Sequence, residues 1–128
     1  MRWMTWLVVA LGGAVGSLAR HLANIATHRV AGQSVPYATF AVNILGSWTI
    51  GVLAGLVATE RLHIAPTTRT LVFVGVLGGF TTFSSFMLDT LTLAQEGQLR
   101  AAFLNAAGQV ALGYLAAYVG FRLAHWTW

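Results

Sequence analysis

The residues best suited to ion chemistry lie together in the third long apolar segment. Residues 78–86 read GGFTTFSSF, two glycines followed by four hydroxyl residues interspersed with phenylalanines. Glycine loosens a helix, and Ser and Thr side chains can satisfy the backbone groups that a break exposes. Freed carbonyl oxygens can hold a cation, as in the discontinuous helices of transporters. The run predicts either a break at Gly78-Gly79 and the hydroxyls that follow, lining a cavity, or an unbroken helix whose hydroxyls bond its own carbonyls.

Phe83 and Phe86 are three residues apart and therefore share one helix face. The spacing alone leaves two interpretations open. The rings can be core packing, which is the common use of aromatic side chains at helical spacing. Alternatively, their positively polarised edges can face an anion.

Three amide side chains fall inside apolar segments. Asn43 lies in the second segment with Thr39 one turn before it, and Asn105 and Gln109 lie four residues apart in the fourth. Each amide carries N–H donors and is costly against lipid, so each is expected to face protein or water. Such groups either join helices, at about 0.6 kcal/mol per hydrogen bond, or line an ion path.

Charged residues are rare inside the segments. Arg20 closes the first, where its long side chain can reach the membrane interface. Asp89 comes late in the third segment and is expected to pair with an arginine or to meet water. The other segments hold no acid, so the chain lacks the row of carboxylates that a proton relay requires. The four histidines lie at ends or in loops without metal-ligand spacing, and there is no cysteine. We predict that the chain is not an enzyme.

The composition of the chain predicts the helices on which these residues lie. Of 128 residues, 57% are hydrophobic and 8% are charged, against roughly 25% charged in a soluble domain. Mean hydropathy is +0.72. We predict one all-α integral membrane domain over residues 1–128, with four transmembrane helices and the third broken near its middle. A span needs about 20 apolar residues, which places the spans at residues 3–20, 37–59, 70–94 and 101–121.

Glycine and proline residues between and within these spans predict turns, a helix start and close helix contacts. A turn is expected at Gly32-Gln33-Ser34, a helix start at Pro66 and a turn at Gly97. Glycine pairs four residues apart predict close helix packing. These pairs are Gly12/Gly16, Gly51/Gly55 and Gly75/Gly79.

The charge distribution bears on partners and orientation. The net charge is +4, but the seven arginines are scattered singly, which argues against nucleic acid and favours the membrane surface. With four spans, one side carries Arg2, Arg61, Arg69 and Arg122, and the other carries Arg20, Arg29 and Arg100. The positive-inside rule needs a bias to choose an orientation. The count leaves open a weakly biased single orientation or insertion both ways, which would permit an antiparallel homodimer.

Three segments together resemble the small fluoride channels called Fluc or CrcB. They are GGAVGSLAR at residues 12–20, Thr39 with NILG at residues 43–46, and GGFTTFSSF at residues 78–86. The resemblance extends over essentially the whole chain and its four spans. The third segment is the specific one, since glycine pairs are common in membrane helices.

The resemblance implies an antiparallel dual-topology homodimer in a bacterial inner or plasma membrane, with two fluoride pores. Phe83 and Phe86 match the family's pore phenylalanines, Asn43 its pore asparagine, and Thr39 and Ser84 its polar pore residues. A structural sodium ion at the dimer centre is expected on the backbone carbonyls of Gly78 and Thr81.

The fourth helix departs from the family pattern. Some members carry Tyr or Ser where an ungapped alignment places Asn105, Gln109 and Gly113. We include Asn105 and Gln109 among the expected pore residues.

The residue types in these segments are consistent with a fluoride pore. Fluoride is small and strongly hydrated, so a pore must replace its lost water with donors such as the Asn43 amide and hydroxyls. Arg20 and a central cation would ease the entry of an anion into a low-dielectric protein.

Two other functions fit part of the sequence. A small proton-coupled cation or drug exporter would need a membrane carboxylate, and only Asp89 is available within a span. A non-transporting membrane subunit would explain the glycines but not the hydroxyl-rich run. Fluoride flux into liposomes separates the three functions.

Overall fold

The computed structural model describes residues 2–32 and 36–126, and these residues form helices and no strand. Helices α1 (Arg2–Ala31), α2 (Tyr37–Ala58), α4 (Phe83–Gln95) and α5 (Leu99–His125) are α-helical. Helix α3 runs without interruption through an α-helical turn, a π-helical segment and a second α-helical turn. These three parts are Pro66–Arg69, Thr70–Val76 and Leu77–Phe80.

Four helical stretches within the described residues are long and apolar enough to cross a membrane, which confirms the predicted all-helical fold with four spans. The third stretch consists of α3 followed by α4. The stretches are Trp3–Ala31, Tyr37–Ala58, Pro66–Gln95 and Leu99–His125.

Helix α1 continues well past the end of its predicted span. It has 30 residues and is therefore about 45 Å long at 1.5 Å per residue, against about 30 Å for the hydrocarbon core. The connection expected over residues 21–36 is mostly helix, and Arg20 lies inside α1 rather than at its end. The expected turn begins at Gly32, whose φ of +79° suits glycine; Gln33 and Ser34 lie outside the described residues.

The helix start predicted at Pro66 and the turn predicted at Gly97 are both observed. Pro66 occupies the first turn of α3, where its missing N–H needs no partner. Gly97 has a φ of +79° between α4 and α5, a conformation that glycine adopts without steric cost.

The third span is broken, but the break lies at Thr81-Thr82 rather than at the glycines. Thr81 (φ −84°, ψ 156°) and Thr82 (φ −151°, ψ 114°) are extended. The Thr82 hydroxyl oxygen accepts a hydrogen bond from the Ser85 N–H at 3.2 Å, so Thr82 is the N-cap of α4. The Thr81 hydroxyl donates to the Leu77 carbonyl at 2.9 Å. The two threonines thus terminate the two half-helices.

Of the two glycines expected to loosen the helix, Gly79 serves close packing instead, whereas Gly78 is exposed. Gly78 and Gly79 lie within the turn Leu77–Phe80. A Cβ atom at Gly79 would stand 2.6 Å from the carbonyl oxygen of Gly13 in α1. The missing side chain therefore lets the last turn of α3 touch the α1 backbone.

Two glycine-lined contacts pack helices in pairs, α1 with α3 and α2 with α5. Where α1 meets α3, a Cβ at Gly12 would lie 2.7 Å from the Leu71 carbonyl oxygen. Where α2 meets α5, a Cβ at Gly55 would lie 2.6 Å from the Phe121 carbonyl oxygen. No L side chain fits at such distances, so the backbones are in direct contact, as the glycine pairs predict.

The buried core is narrow, and most large apolar side chains point outward. Lipid tails are as apolar as leucine, so this outward surface suits a bilayer and not water. The buried apolar side chains centre on α2, α4 and α5. They are Ala38, Val42, Leu77, Phe86, Leu93, Ala102 and Ala124.

Candidate ion-path site

Four polar side chains from three helices form one continuous row of hydrogen bonds, called here the amide row. Asn43 Nδ2 of α2 donates to Gln109 Oε1 of α5 at 2.8 Å. Gln109 Nε2 donates to Asn105 Oδ1 at 3.0 Å. Asn105 Nδ2 donates to Thr90 Oγ1 of α4 at 2.8 Å, and Thr90 donates to the Phe86 carbonyl oxygen at 2.8 Å. Each amide nitrogen of the row donates to at least one acceptor, and the second N–H of Asn105 and of Gln109 lies outside the row.

Asn43 also clamps the backbone at the break. Its Nδ2 donates to the Thr82 carbonyl oxygen at 3.1 Å, and its Oδ1 accepts from the Thr82 N–H at 2.8 Å. Thr82 is extended, so these hydrogen bonds replace helical ones that the break removes. Both N–H donors of Asn43 are used in this arrangement, one by Thr82 and one by Gln109. A bound ion would have to compete for them.

The break diverts the helical donors that would normally reach two carbonyl groups. In an uninterrupted helix, the Gly78 carbonyl accepts from the N–H of residue 82 and the Thr81 carbonyl from that of residue 85. Here the Thr82 N–H donates to Asn43 and the Ser85 N–H donates to the Thr82 hydroxyl. Gly78 is exposed and Thr81 is half-buried. These carbonyls are hard oxygen donors of the kind that alkali and alkaline-earth cations take.

The two phenylalanines of α4 form an edge-to-face pair. Their ring centroids are 5.5 Å apart with planes at 71°. Phe86 is 4% exposed, whereas Phe83 is 71% exposed. Phe86 is thus part of the core of a single chain, and Phe83 is a largely exposed ring beside the break.

One open cavity of ≈ 340 Å³ gathers several of the predicted site residues. Asn43, Gly78, Thr81 and Phe83 all contribute to its wall, together with Thr82. The structure therefore brings the polar clamp, the freed carbonyls and one aromatic ring to a single place, although they come from two separate segments of the chain.

The remaining predicted residues lie around this cavity or apart from it. Thr39 is buried one turn before Asn43 and lines a second cavity. Ser84 is exposed, with its Oγ 3.4 Å from the Thr82 hydroxyl. Arg20 is half-buried and makes no side-chain hydrogen bond within residues 2–32 and 36–126.

Sequence reasoning missed the roles of two threonines. Thr82 belonged to the recognised run, but its backbone clamp to Asn43 depends on a helix 39 positions away. Thr90 was not singled out at all. Its only signal is a hydroxyl four residues after Phe86 within an apolar span, and a hydroxyl there ordinarily bonds its own helix.

Four apolar helices, a clamped break in the third and a row of neutral amide side chains beside that break define a small polytopic membrane protein that can accommodate an ion or small polar solute. The chain belongs to the family described as CrcB-like protein, Camphor Resistance (CrcB), whose model matches residues 7–121.

Relatives named "Fluoride-specific ion channel FluC" are similar over nearly their full length. The protein of Allorhizobium ampelinum is 42% identical over 94% of this chain and 95% of its own. That of Caulobacter vibrioides is 44% identical over 92% and 93%. That of Magnetococcus marinus is 46% identical over 88% and 90%.

Proposed function

We propose that the chain is a fluoride-selective channel of the cell membrane that lets cytoplasmic fluoride leave down its electrochemical gradient. The observation that carries the proposal is its 42% to 46% identity, over 88% to 94% of the chain, to relatives named fluoride-specific ion channels. Those relatives are named as channels and not as enzymes, in line with the sequence prediction.

The local chemistry supports an anion path without a strong fixed charge. Fluoride must exchange water for protein donors, and the amide row and the hydroxyls around Thr82 supply N–H and O–H groups. The exposed Phe83 ring can offer a positively polarised edge. Since the cavity beside the break contains no charged side chain among its lining residues, an anion entering it would not be held too tightly to leave.

The functional unit of the proposal is an antiparallel homodimer with two pores. Gly78 and Phe83 are exposed in a single chain although they border the open cavity beside the break, at the middle of a span. Polar backbone at that depth is tolerated only when protein or water covers it, and a second copy would supply the cover. The near-even arginine count allows that copy to insert in the opposite orientation.

A structural sodium ion at the centre of this dimer completes the proposal. The carbonyls of Gly78 and Thr81, whose helical donors bond elsewhere, would hold it. Its positive charge would lower the cost of bringing an anion into a low-dielectric protein. Two-fold symmetry would double the number of carbonyls available to the ion.

Fluoride flux from liposomes tests the function directly. Purified protein in vesicles loaded with potassium fluoride should release fluoride to a fluoride electrode when valinomycin carries the potassium, and vesicles loaded with potassium chloride should release little chloride. Equal release of both anions, or no release above protein-free vesicles, would contradict the proposal.

Asn43→Asp supplies an inactive control from the site itself. A carboxylate oxygen would face the Thr82 carbonyl and Gln109 Oε1, to which Asn43 Nδ2 now donates, and would present negative charge to an anion. We expect fluoride release to fall about 100-fold or more, which corresponds to roughly 2.7 kcal/mol of barrier. Release at the unmutated rate would remove Asn43 from the pathway.

A further inference from the structure

A second cavity, of ≈ 590 Å³, opens between α1, α2 and α4 near the end of the third span. Two buried oxygen atoms belong to residues of its wall: Asn24 Oδ1 from α1 and Asp89 Oδ2 from α4. Neither oxygen has a hydrogen-bond partner among residues 2–32 and 36–126. Buried polar atoms are nearly always paired, so these two atoms indicate that something else occupies the site.

Both orphaned atoms are acceptors, and one of them belongs to a carboxyl group. An anion such as fluoride offers no donor and would be repelled. A water molecule could donate to both oxygens, but it would leave uncompensated the negative charge of Asp89, which is half-buried late in the third span. A proton or a cation satisfies both requirements.

The neighbouring side chains of the described residues do not supply that charge. Among the described residues, Asp89 has no Arg or His nitrogen within 4.0 Å, so of the two expected surroundings, an arginine or water, the arginine is not found. His28 lines the cavity, but its Nδ1 lies 3.3 Å from the Gly32 carbonyl oxygen. Arg20 is one turn from Asn24 on the same face of α1 and is not among the lining residues.

We propose that this cavity binds a monovalent alkali cation, Na⁺ or K⁺, through Asn24 Oδ1 and Asp89 Oδ2. Amide and carboxylate oxygens are hard ligands that suit such ions. The hydroxyl residues Thr39 and Ser85 line the same cavity and add oxygen atoms to its wall. Glu96 lines the cavity as well, so its wall carries two carboxyl residues, which favours a cation. The site differs from the proposed central sodium, which is held by backbone carbonyls.

The cation site itself does not depend on fluoride conduction, but its consequence rests on the proposed function. A cation here would mask Asp89 and place positive charge beside Thr39, which lies one helical turn before Asn43 of the amide row. An acidic residue near the mouth of an anion channel would then help rather than hinder the entry of fluoride.

Thermal unfolding of the detergent-solubilised full chain tests the site without measuring flux. NaCl or KCl is titrated against N-methylglucamine chloride at constant ionic strength. The unfolding midpoint of the unmutated protein should rise saturably, because a ligand that binds only the folded state stabilises it. In Asp89→Asn, which keeps the shape and removes the charge, the apparent cation affinity should fall about tenfold or more.

Two further variants keep the test falsifiable. Asn24→Ala should weaken cation binding while retaining the carboxylate, and Glu60→Gln, which removes an exposed carboxylate outside the cavity, should behave as the unmutated protein. A cation response shared equally by the unmutated and Asp89→Asn proteins would belong to the central site and would overturn the proposal. So would a midpoint that follows pH through Asp89 and ignores the cation, because a proton would then neutralise Asp89.

Discussion

At the scale of single residues, the site is built from neutral groups whose hydrogen bonds are already made. Asn43 of α2 joins the break to α5, since it bonds Thr82 on both backbone groups and Gln109 through the side chain. Satisfied polar rows of this kind hold one arrangement, because any shift leaves an amide unpaired in a low-dielectric interior. Substitutions of single residues should therefore distinguish the residues that contact the ion from those that hold the site in position.

Phe83→Ile should slow fluoride release about tenfold or more, equivalent to at least about 1.4 kcal/mol of barrier, while the protein still assembles. The change removes an aromatic edge but keeps an apolar side chain. Phe103→Ile is the matched control, since Phe103 of α5 is 70% exposed and Phe83 is 71% exposed. Equal flux in the two variants would assign Phe83 to lipid or packing contact only.

Thr90→Val should destabilise the fold by on the order of 1 kcal/mol, because Asn105 Nδ2 loses its acceptor inside the protein. Thr90→Ser keeps the hydroxyl and should retain most of the stability. Unfolding titrations in mixed detergent micelles measure both changes. If Val and Ser cost the same, the methyl group rather than the hydrogen bond matters at this position.

At the scale of helices, the break and the glycine contacts depend on each other. α3 ends where Gly79 meets the α1 backbone, and α4 begins where Thr82 caps it and Asn43 clamps it. The two half-helices are thus held by different neighbours, α1 on one side and α2 with α5 on the other. Loosening the α1–α3 contact should move the break relative to the amide row.

Gly12→Ala should cost about 1–3 kcal/mol, since its Cβ would lie 2.7 Å from the Leu71 carbonyl oxygen and 2.9 Å from the Gly75 Cα, and backbone cannot yield as a side chain does. Gly13→Ala is the adjacent control, because nothing lies within 4 Å of a Cβ there. The ratio of folded to unfolded protein in a detergent titration reports the difference. Similar stability of the two variants would show that the α1–α3 contact is not tight in solution.

At the scale of the whole molecule, function is expected to require two orientations of the same chain. Several lysines added at one terminus should force a single orientation and abolish fluoride export from cells. Co-expression with a copy biased the opposite way should restore it. Cysteine labelling from either side of the membrane would verify each orientation, and full export by a singly oriented protein would exclude the antiparallel dimer.

The sequence alone determined the class of protein and the residue types that form the site. Hydrophobicity and segment length add up residue by residue, so the four spans, the turns at Gly32 and Gly97 and the helix start at Pro66 could be predicted. The hydroxyl-rich run located the break to within three residues of its observed position. These properties are local and need no knowledge of neighbouring helices.

Only the tertiary structure decided how those residues are joined. Asn43 meets Thr82 across 39 positions and Gln109 across 66, Thr90 completes the amide row, and Asn24 and Asp89 come to share a cavity. Each pairing depends on the rotation and depth of one helix against another. The rotation and depth of the helices are set by backbone contacts such as Gly12 on Leu71 and Gly55 on Phe121. A glycine pair in the sequence does not specify which helix backbone it will contact.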